Sequence, residues 1–354
     1  MKVGIIGGGQ LARMMIQASS RLPLDTVILD PKKNSPAGLI GESIIAELND
    51  PKALEELSNS CDIITYELEH LDLEILSSVL DPKKVFPNLK ILKIAQDRLL
   101  EKKYINDLDI DTANFRPISS IEDIENIQFD SDCFLKLRKS GFDGRGQLKV
   151  NDQKSLISGF QKFECLPAIL EQCIEFDFEC SIIVGRNKSD EYCFYPITEN
   201  LHHNGILIHT KLLNNPALQK QAEDIARKIM GSSNYIGVMG IEFFNVSGNL
   251  IVNEIAPRVH NSGHWTIDGA NCSQFELHLR CITNLEIPHE IQIQDVQMFN
   301  ILGSMPNLAS LSTETNIFIH DYKKSPRENR KIGHINGVSL NNAQIQAIKQ
   351  LLLL

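Results

Sequence analysis

Positive charge is in short supply in this chain. Lysine and arginine number 35 against 45 aspartates and glutamates, a net charge of −10 over 354 residues. That balance argues against a general nucleic-acid or acidic-membrane binder and confines cationic function to local sites. Cysteine pairs are missing too: the eight cysteines are scattered, with no C-x-x-C and no Cys/His ligand spacing. Reduced thiols in a cytoplasm fit that pattern, many of them as small apolar core residues. No apolar run approaches the roughly 20 residues of a membrane span. The apolar N-terminus is broken by Gly7-Gly8-Gly9 and followed by no small-residue cleavage site, so no signal peptide is expected. Internal repeats and low-complexity linkers are also absent. What is left, 42% hydrophobic and 23% charged, is an ordinary globular composition long enough for two or three domains.

Residues 1–95 alternate strand and helix: KVGIIG, QLARMMIQASSR, DTVILD, PKALEELSNS and CDIITYE read as a parallel sheet wound with helices. A charged helical stretch follows from residue 97. Over 133–184, FLKLRKS, a glycine-rich loop, QLKV and AILEQCIEFDFECSIIV suggest a mostly antiparallel sheet with a helix over 152–163. Beyond it come strands near 193 and 205, helices over 215–230 and 273–283 separated by a hairpin, and then strands and a terminal helix. The expected domains are 1–95, 96–185 and 186–354.

The hairpin carries the strongest chemical signal. VMGIEFFNV and LIVNEIA flank Ser247-Gly248-Asn249, which reads as a three-residue loop. Centred on Gly248, the ladder sets Glu242 opposite Glu254, with Cβ atoms roughly 4.5–5.5 Å apart, where like charges destabilise a sheet unless a cation lies between them. Magnesium, which takes one or two carboxylates and completes its shell with substrate phosphates, suits such a pair. The alternative is two solvated glutamates on an exposed face, and a slip of one residue would put them out of line. Arg258, His260, Asn261, Ser262, His264 and Trp265 then crowd around Pro257 and Gly263 in a loop suited to anions.

At the N-terminus, Gly7-x-Gly9-x-x-Ala12 followed by Asp30 satisfies the dinucleotide fingerprint, so a nicotinamide oxidoreductase is one reading. Any phosphate could use the same amides, and a tight turn without ligand is the third possibility. Glu67 and Glu69 end the third strand, at the edge where open α/β sheets bind ligands. In FLKLRKS, Lys136 and Arg138 share one face. The loop Gly141-Phe142-Asp143-Gly144-Arg145-Gly146-Gln147 reads as a phosphate-covering flap, or as a plain hairpin turn, and departs from the P-loop pattern. Glu171 and Glu179 could accept hydrogen bonds from an adenine amino group or ribose hydroxyls.

Together these segments resemble the ATP-grasp ligases. The resemblance rests on GGGQLARMM (7–15), TYELEH (65–70), QDR (96–98), GFDGRGQ (141–147), EQCI (171–174), YPITENLHHNGI (195–206), NEIAPRVHNSGHWT (253–266), SQFELHLR (273–280) and RKIGHIN (330–336). It implies a mixed α/β and α+β fold: a Rossmann-like pre-grasp domain, a small lid domain and a larger C-terminal domain. Within the superfamily it points to the ligases of purine biosynthesis that carboxylate 5-aminoimidazole ribonucleotide with bicarbonate through carboxyphosphate, releasing ADP and phosphate.

The resemblance also implies a set of sites. Glu242 and Glu254 would hold magnesium, or manganese in its place. ATP would meet Arg98, Lys136, the flap Gly141, Phe142, Asp143, Gly144, Arg145, Gly146 and Gln147, then Glu171, Gln172, Cys173 and Ile174, with Glu179, His202, Asn253 and Glu254. Arg258, His260 and Lys136 would be the catalytic groups. The ribonucleotide would lie on Gly9, Gln10, Leu11 and Glu69, with Lys324, Arg327, Arg330 and Lys331, a run that could otherwise be a solvated strand. Relatives suggest a homodimer. Three departures stand out: Phe142 where tyrosine is usual, Lys139-Ser140 for an expected Thr-Gly pair, and Glu328-Asn329 for a Pro-Gly turn. The competing functions are a formate-dependent glycinamide ribonucleotide transformylase or other ATP-grasp ligase, the oxidoreductase, and a binding protein without turnover.

Overall fold

The computed structural model describes residues 1–125, 127–139 and 146–354. Its first sheet follows from apolar strands too short and too uniformly hydrophobic to leave a face in water. It is built from β1 (Lys2–Ile6), α1 (Gln10–Ser19), β2 (Asp25–Asp30), β3 (Glu42–Ile45), α2 (Pro51–Ser60) and β4 (Ile63–Tyr66). The strands run parallel in the order β3-β2-β1-β4. Helix starts are encoded locally: Asp50 accepts the Lys52 and Ala53 amides at the head of α2, with Pro51 in the first turn. The carboxyl ends of β1, β2 and β4 converge, bringing residues 7–10, Asp30 and 67–69 to one edge.

Three helices lead away, α3 (Leu73–Val79), α4 (Leu89–Ala95) and α5 (Arg98–Asn106). A small antiparallel sheet follows, made of β5 (Phe115–Ile118), β6 (Cys133–Leu137), β7 (Gln147–Val150) and, after α6 (Gln153–Lys162), β8 (Ala168–Gln172), in the order β5-β8-β6-β7. Leu135, Val150 and Leu170 pack against Leu156 and Phe160 of α6 to give it a core of its own.

The third sheet has nine strands: β9 (Phe178–Arg186), β10 (Tyr192–Phe194), β11 (Thr198–His203), β12 (Ile206–Leu212), β13 (Gly237–Val246), β14 (Asn249–Ala256), β15 (Val296–Gly303), β16 (Ile317–Asp321) and β17 (Arg327–Val338). The order is β14-β13-β9-β11-β12-β15-β17-β16, with β10 on β9, and every pair is antiparallel. Between them lie α7 (Pro216–Ser232), α8 (Thr266–Gly269), α9 (Gln274–Thr283) and α10 (Asn342–Leu352).

The strand run expected over 168–184 proves to be two strands in two sheets, and the expected boundary at 185 falls inside β9. The cause is the two-sided burial of β9. Ile182 and Val184 join a core with Leu218, Ala222 and Ala226 of α7, whereas Ile183 joins one with Phe275 and Leu277 of α9. A strand covered on both faces belongs in the middle of a large sheet and not at the end of a small one.

Candidate active site

β13 and β14 close on a two-residue turn. Val246 faces Asn249, and Ser247 and Gly248 both have positive φ, 50° and 85°, the type I′ geometry whose twist matches that of the strands. Continued in that register, the ladder would set Glu242 against Asn253. Instead β14 carries one unpaired residue, Asn253, and beyond this bulge Glu242 faces Glu254. The facing carboxylates are therefore present, while the expected three-residue loop is not.

Burial first, and the Glu254 charge second, push the Glu242 carboxyl above the ordinary glutamate range. Arg98 Nη1 stands 3.7 Å from Glu254 Oε2, and His260 Nε2 stands 3.6 Å from Glu242 Oε1. Among the described residues no three His, Cys, Asp or Glu side chains converge on a common metal position. Two facing carboxylates with no third such ligand among the described residues fit a cation that draws its other ligands from phosphates and water.

The loop after β14 supplies the groups across from this pair. Arg258 donates through Nη2 to Glu69 Oε1 at 2.8 Å and through Nη1 to the Val259 carbonyl at 3.0 Å. His260 is buried. Its Nδ1 receives the Ser262 amide at 3.4 Å and lies 2.9 Å from Ser262 Oγ. A backbone N–H can only donate, so Nδ1 carries the lone pair and the proton of the neutral ring sits on Nε2, toward Glu242. Burial, then the charges of Arg258 and Lys331, hold this imidazole well below its ordinary pKa.

These groups open on a cavity of about 1080 Å³. Glu242, Glu254, Arg258 and His260 line it together with Gln10, Leu11 and Glu69 and with the basic residues Lys324, Arg327, Arg330 and Lys331, and Lys331 is near enough for its charge to act on both Glu242 and His260. Between Arg327, opposite Gly303, and Lys331, opposite Leu302, β17 leaves the ladder, and Asn329 takes φ 59°. Asparagine is among the few residues that tolerate the left-handed region, so it can make the turn expected of a Pro-Gly pair.

The glycine loop before α1 is filled from within the chain. Gly8 donates to Asp30 Oδ2 at 2.8 Å, Gly9 to Glu67 Oε1, and Ala12 to Glu67 Oε2 at 2.9 Å. A side chain at Gly9 would collide with the Glu67 carboxylate. Two acids now occupy the place where a pyrophosphate would sit, which removes the physical basis of the nicotinamide reading. Gln10 and Leu11, whose first-turn amides have no intrahelical acceptor, still line the cavity.

In the small sheet, Lys136 Nζ of β6 lies 2.7 Å from Glu171 Oε2 of β8, and Lys102 Nζ of α5 lies 3.5 Å from the same oxygen. Burial alone would raise the Glu171 carboxyl, but the two lysines outweigh it and hold it low. Burial holds the Lys136 ammonium below its usual range. Glu171, expected to meet adenine, has its carboxylate between two lysines instead. The amides of Gln172 and Cys173 are taken by the Asn114 and Asp132 carbonyls at 2.8 and 2.9 Å, with Ile174 next in the chain. His202 Nδ1 lies 2.8 Å from Glu179 Oε2, and although burial opposes it, that bond together with Glu242 raises the imidazole pKa. Gly146 accepts the Leu137 amide at 2.9 Å and Gln147 pairs with Lys136. The remainder of the expected flap, Gly141, Phe142, Asp143, Gly144 and Arg145, lies outside the described residues, as does Ser140.

Glu67, singled out above at the ligand edge, is buried at 4% exposure and turned into the glycine loop, and sequence reasoning missed two further buried charges beside the site, Glu101 and Lys102, at 3% and 2% exposure. For the last two a signal existed. Arg98, Glu101 and Lys102 fall at i, i+3 and i+4, on one face of α5.

Three domain families match the chain in series: the ribonucleotide synthetase preATP-grasp domain over residues 1–96, the ATP-grasp domain over 103–275 and the phosphoribosylaminoimidazole carboxylase C-terminal domain over 297–348. Fold and site together define an ATP-grasp ligase. The N5-carboxyaminoimidazole ribonucleotide synthase of Pseudomonas aeruginosa is 36% identical over 349 residues, covering 98% of this chain and 97% of that one. Among solved structures, the N5-carboxyaminoimidazole ribonucleotide synthetase of Thermus thermophilus superposes with a TM-score of 0.90 at 35% identity, covering 99% and 98% of the two chains. The Aspergillus clavatus enzyme, solved with ADP and 5-aminoimidazole ribonucleotide, gives 0.87 at 29% identity, covering 99% and 97%. The chain belongs to the N5-carboxyaminoimidazole ribonucleotide synthase family.

Proposed function

We propose that this ligase joins bicarbonate to the exocyclic amine of 5-aminoimidazole ribonucleotide, using ATP, with the roles below. The observation that carries the reading is a single cavity lined at once by the acid pair, by Arg258 and His260, and by the basic cluster Lys324, Arg327, Arg330 and Lys331. Bicarbonate is a poor electrophile. Its oxygen attacks the γ-phosphorus of ATP, ADP leaves, and the carboxyphosphate so formed presents an activated carboxyl carbon. The amine attacks that carbon, or CO₂ released from it, as phosphate departs, and one amine proton is lost.

Phosphoryl transfer asks the protein mainly for position and charge. Glu242 and Glu254 would hold magnesium, or manganese in its place, which when bound neutralises charge on the β- and γ-phosphates. Lys136, aimed by Glu171, meets the phosphates with Arg98, and the 141–147 segment covers them. The Ile174 amide is the donor left for an adenine edge, Glu179 and His202 lie toward the ribose, and Asn253 stands beside Glu254 at the bulge.

Arg258, held by Glu69, meets bicarbonate and the carboxyphosphate, where a fixed guanidinium matches developing charge. His260, neutral and protonated on Nε2, acts as a hydrogen-bond donor. Gly9, Gln10, Leu11 and Glu69 take the ribonucleotide's sugar side, and Lys324, Arg327, Arg330 and Lys331 its phosphate. The chain divides near residue 96 and at the bend before β9. Eight free cysteines agree with a cytoplasmic enzyme, among the described residues no helix is long and apolar enough to cross a membrane, and the resemblance favours a homodimer.

The purified protein, given ATP, aminoimidazole ribonucleotide and either bicarbonate or formate, is expected to release ADP only with bicarbonate. ADP release that follows formate and ignores bicarbonate would end this reading in favour of the transformylase.

A further inference from the structure

β14 is the edge strand of the large sheet, its outer side meeting, among the described residues, no further strand but a single bridge between Thr112 and Val252, where the Val252 amide donates to the Asp111 carbonyl at 2.9 Å, and the bulge at Asn253 disturbs the ladder just where Glu254 must be aimed. α5 lies against that side. Its Glu101 carboxylate accepts the Ile255 amide at 2.7 Å, and its Lys102 ammonium donates to the Asn253 carbonyl at 3.4 Å. One turn earlier, Arg98 reaches the Glu254 carboxylate itself. Three side chains at i, i+3 and i+4 on one helix thus touch three consecutive residues of β14. Lys102 has a second partner, Glu171 Oε2 at 3.5 Å, the oxygen that also holds Lys136. A single ammonium therefore joins the small sheet to the bulge.

Burying an acid and an ammonium this deeply is costly unless each is closely partnered. Solvated charges on a connecting helix would cost nothing, and a merely structural contact between α5 and β14 could be apolar.

We infer that Glu101 and Lys102 are positioning residues: they grip the backbone on either side of Glu254, fix its carboxylate opposite Glu242, and link that position to the Lys136–Glu171 pair. The inference rests on the reading of Glu254 as a metal ligand. Neither residue is among those lining the cavity, and their effect passes through Glu254 and Glu171.

The test is Mn²⁺ binding in the presence of ADP, followed by electron paramagnetic resonance, with the magnesium dependence of ADP formation and the KM for aminoimidazole ribonucleotide measured alongside. Lys102→Met and Glu101→Leu are expected to weaken Mn²⁺ binding roughly tenfold, the scale of a lost hydrogen bond to a charged group. Both should raise the magnesium requirement similarly and leave KM for the ribonucleotide unchanged. Glu101→Gln, which keeps an acceptor for the Ile255 amide, should bind Mn²⁺ as wild type does. Should one of the two disruptive variants not fold, the other decides the matter with Glu101→Gln beside it. Wild-type Mn²⁺ binding in the disruptive variants, or an equal loss in Glu101→Gln, overturns the inference. Glu254→Gln separates the two readings. If it leaves Mn²⁺ binding unchanged, the metal assignment fails; if it weakens binding while the α5 variants do not, only the grip fails.

Discussion

At the scale of single residues, the geometry around Arg258 explains why a guanidinium is needed there. One end of it holds Glu69 and the other the Val259 carbonyl, which fixes the plane of the group before any substrate arrives. Glu69 depends on it in turn. Burial raises that carboxyl, and Arg258 is the largest influence opposing the rise. A lysine carries the same charge but cannot serve both ends of the fork. Arg258→Lys is therefore expected to lower kcat for bicarbonate-dependent ADP release by roughly 10²-fold, the scale of losing a preorganised charge donor at a developing anion. The KM for ATP should stay near the wild-type value, because Arg258 is paired with Glu69 whereas Lys136 and Arg98 are paired with Glu171 and Glu254. Steady-state kinetics with kcat within a few-fold of wild type would show that Arg258 serves the fold and not the reaction.

At the scale of elements, the hairpin shows how a site can be legible when its route is not. β-branched and aromatic runs around Ser247-Gly248 announce two strands, and the two acids follow. The bulge at Asn253 leaves no mark in composition, because any residue can be the unpaired one, so a loop of the wrong length and a correct pairing were reached together. The turn offers its own test. Ser247 sits at φ 50°, a region that costs most non-glycine residues about 1 kcal/mol or more, whereas Asn-Gly is the preferred type I′ pair. The Ser247 backbone amide donates to Asp177 at 2.8 Å, and among the described residues its hydroxyl holds no partner, so it can be exchanged. Ser247→Asn is expected to raise the thermal midpoint by about 1–2 °C with ADP formation unchanged. A fall in the midpoint would contradict the turn assignment.

Helix starts were legible for the same local reason. Asp152, Asn215 and Ser273, expected as first residues, are the caps of α6, α7 and α9. Charges turned inward were not legible. Glu67 filling the glycine loop and the buried face of α5 depend on what packs opposite them, and a sequence read alone assigns charges to water.

At the scale of the whole molecule, one histidine joins the parallel sheet to the large one. His278 of α9, fully buried, receives the Val238 amide of β13 on Nδ1 at 3.1 Å and meets Thr65 Oγ1 of β4 through Nε2 at 2.9 Å. Because the amide must donate, the ring is held neutral with its proton on Nε2, and burial lowers its pKa to about 3. In the unfolded chain the same side chain titrates near 6.5. Below about pH 6.5 the unfolded state takes up a proton that the folded state refuses, so the stability this residue supplies is complete above that pH and drains away as pH falls toward 3. The slope from such a site is about 1.4 kcal/mol per pH unit. His264 and His334, also held low by burial, add to it, while buried Glu67 and Glu101, whose carboxyls are raised, work in the opposite sense. The informative quantity is therefore the difference between two proteins. His278→Gln keeps an acceptor and a donor but cannot titrate. It is expected to melt lower than wild type at pH 7.5 and to lose less stability between pH 6.5 and 4, so that the two melting curves converge in acid. Parallel loss in the two proteins across that window would mean that the junction between the sheets does not depend on the neutral imidazole.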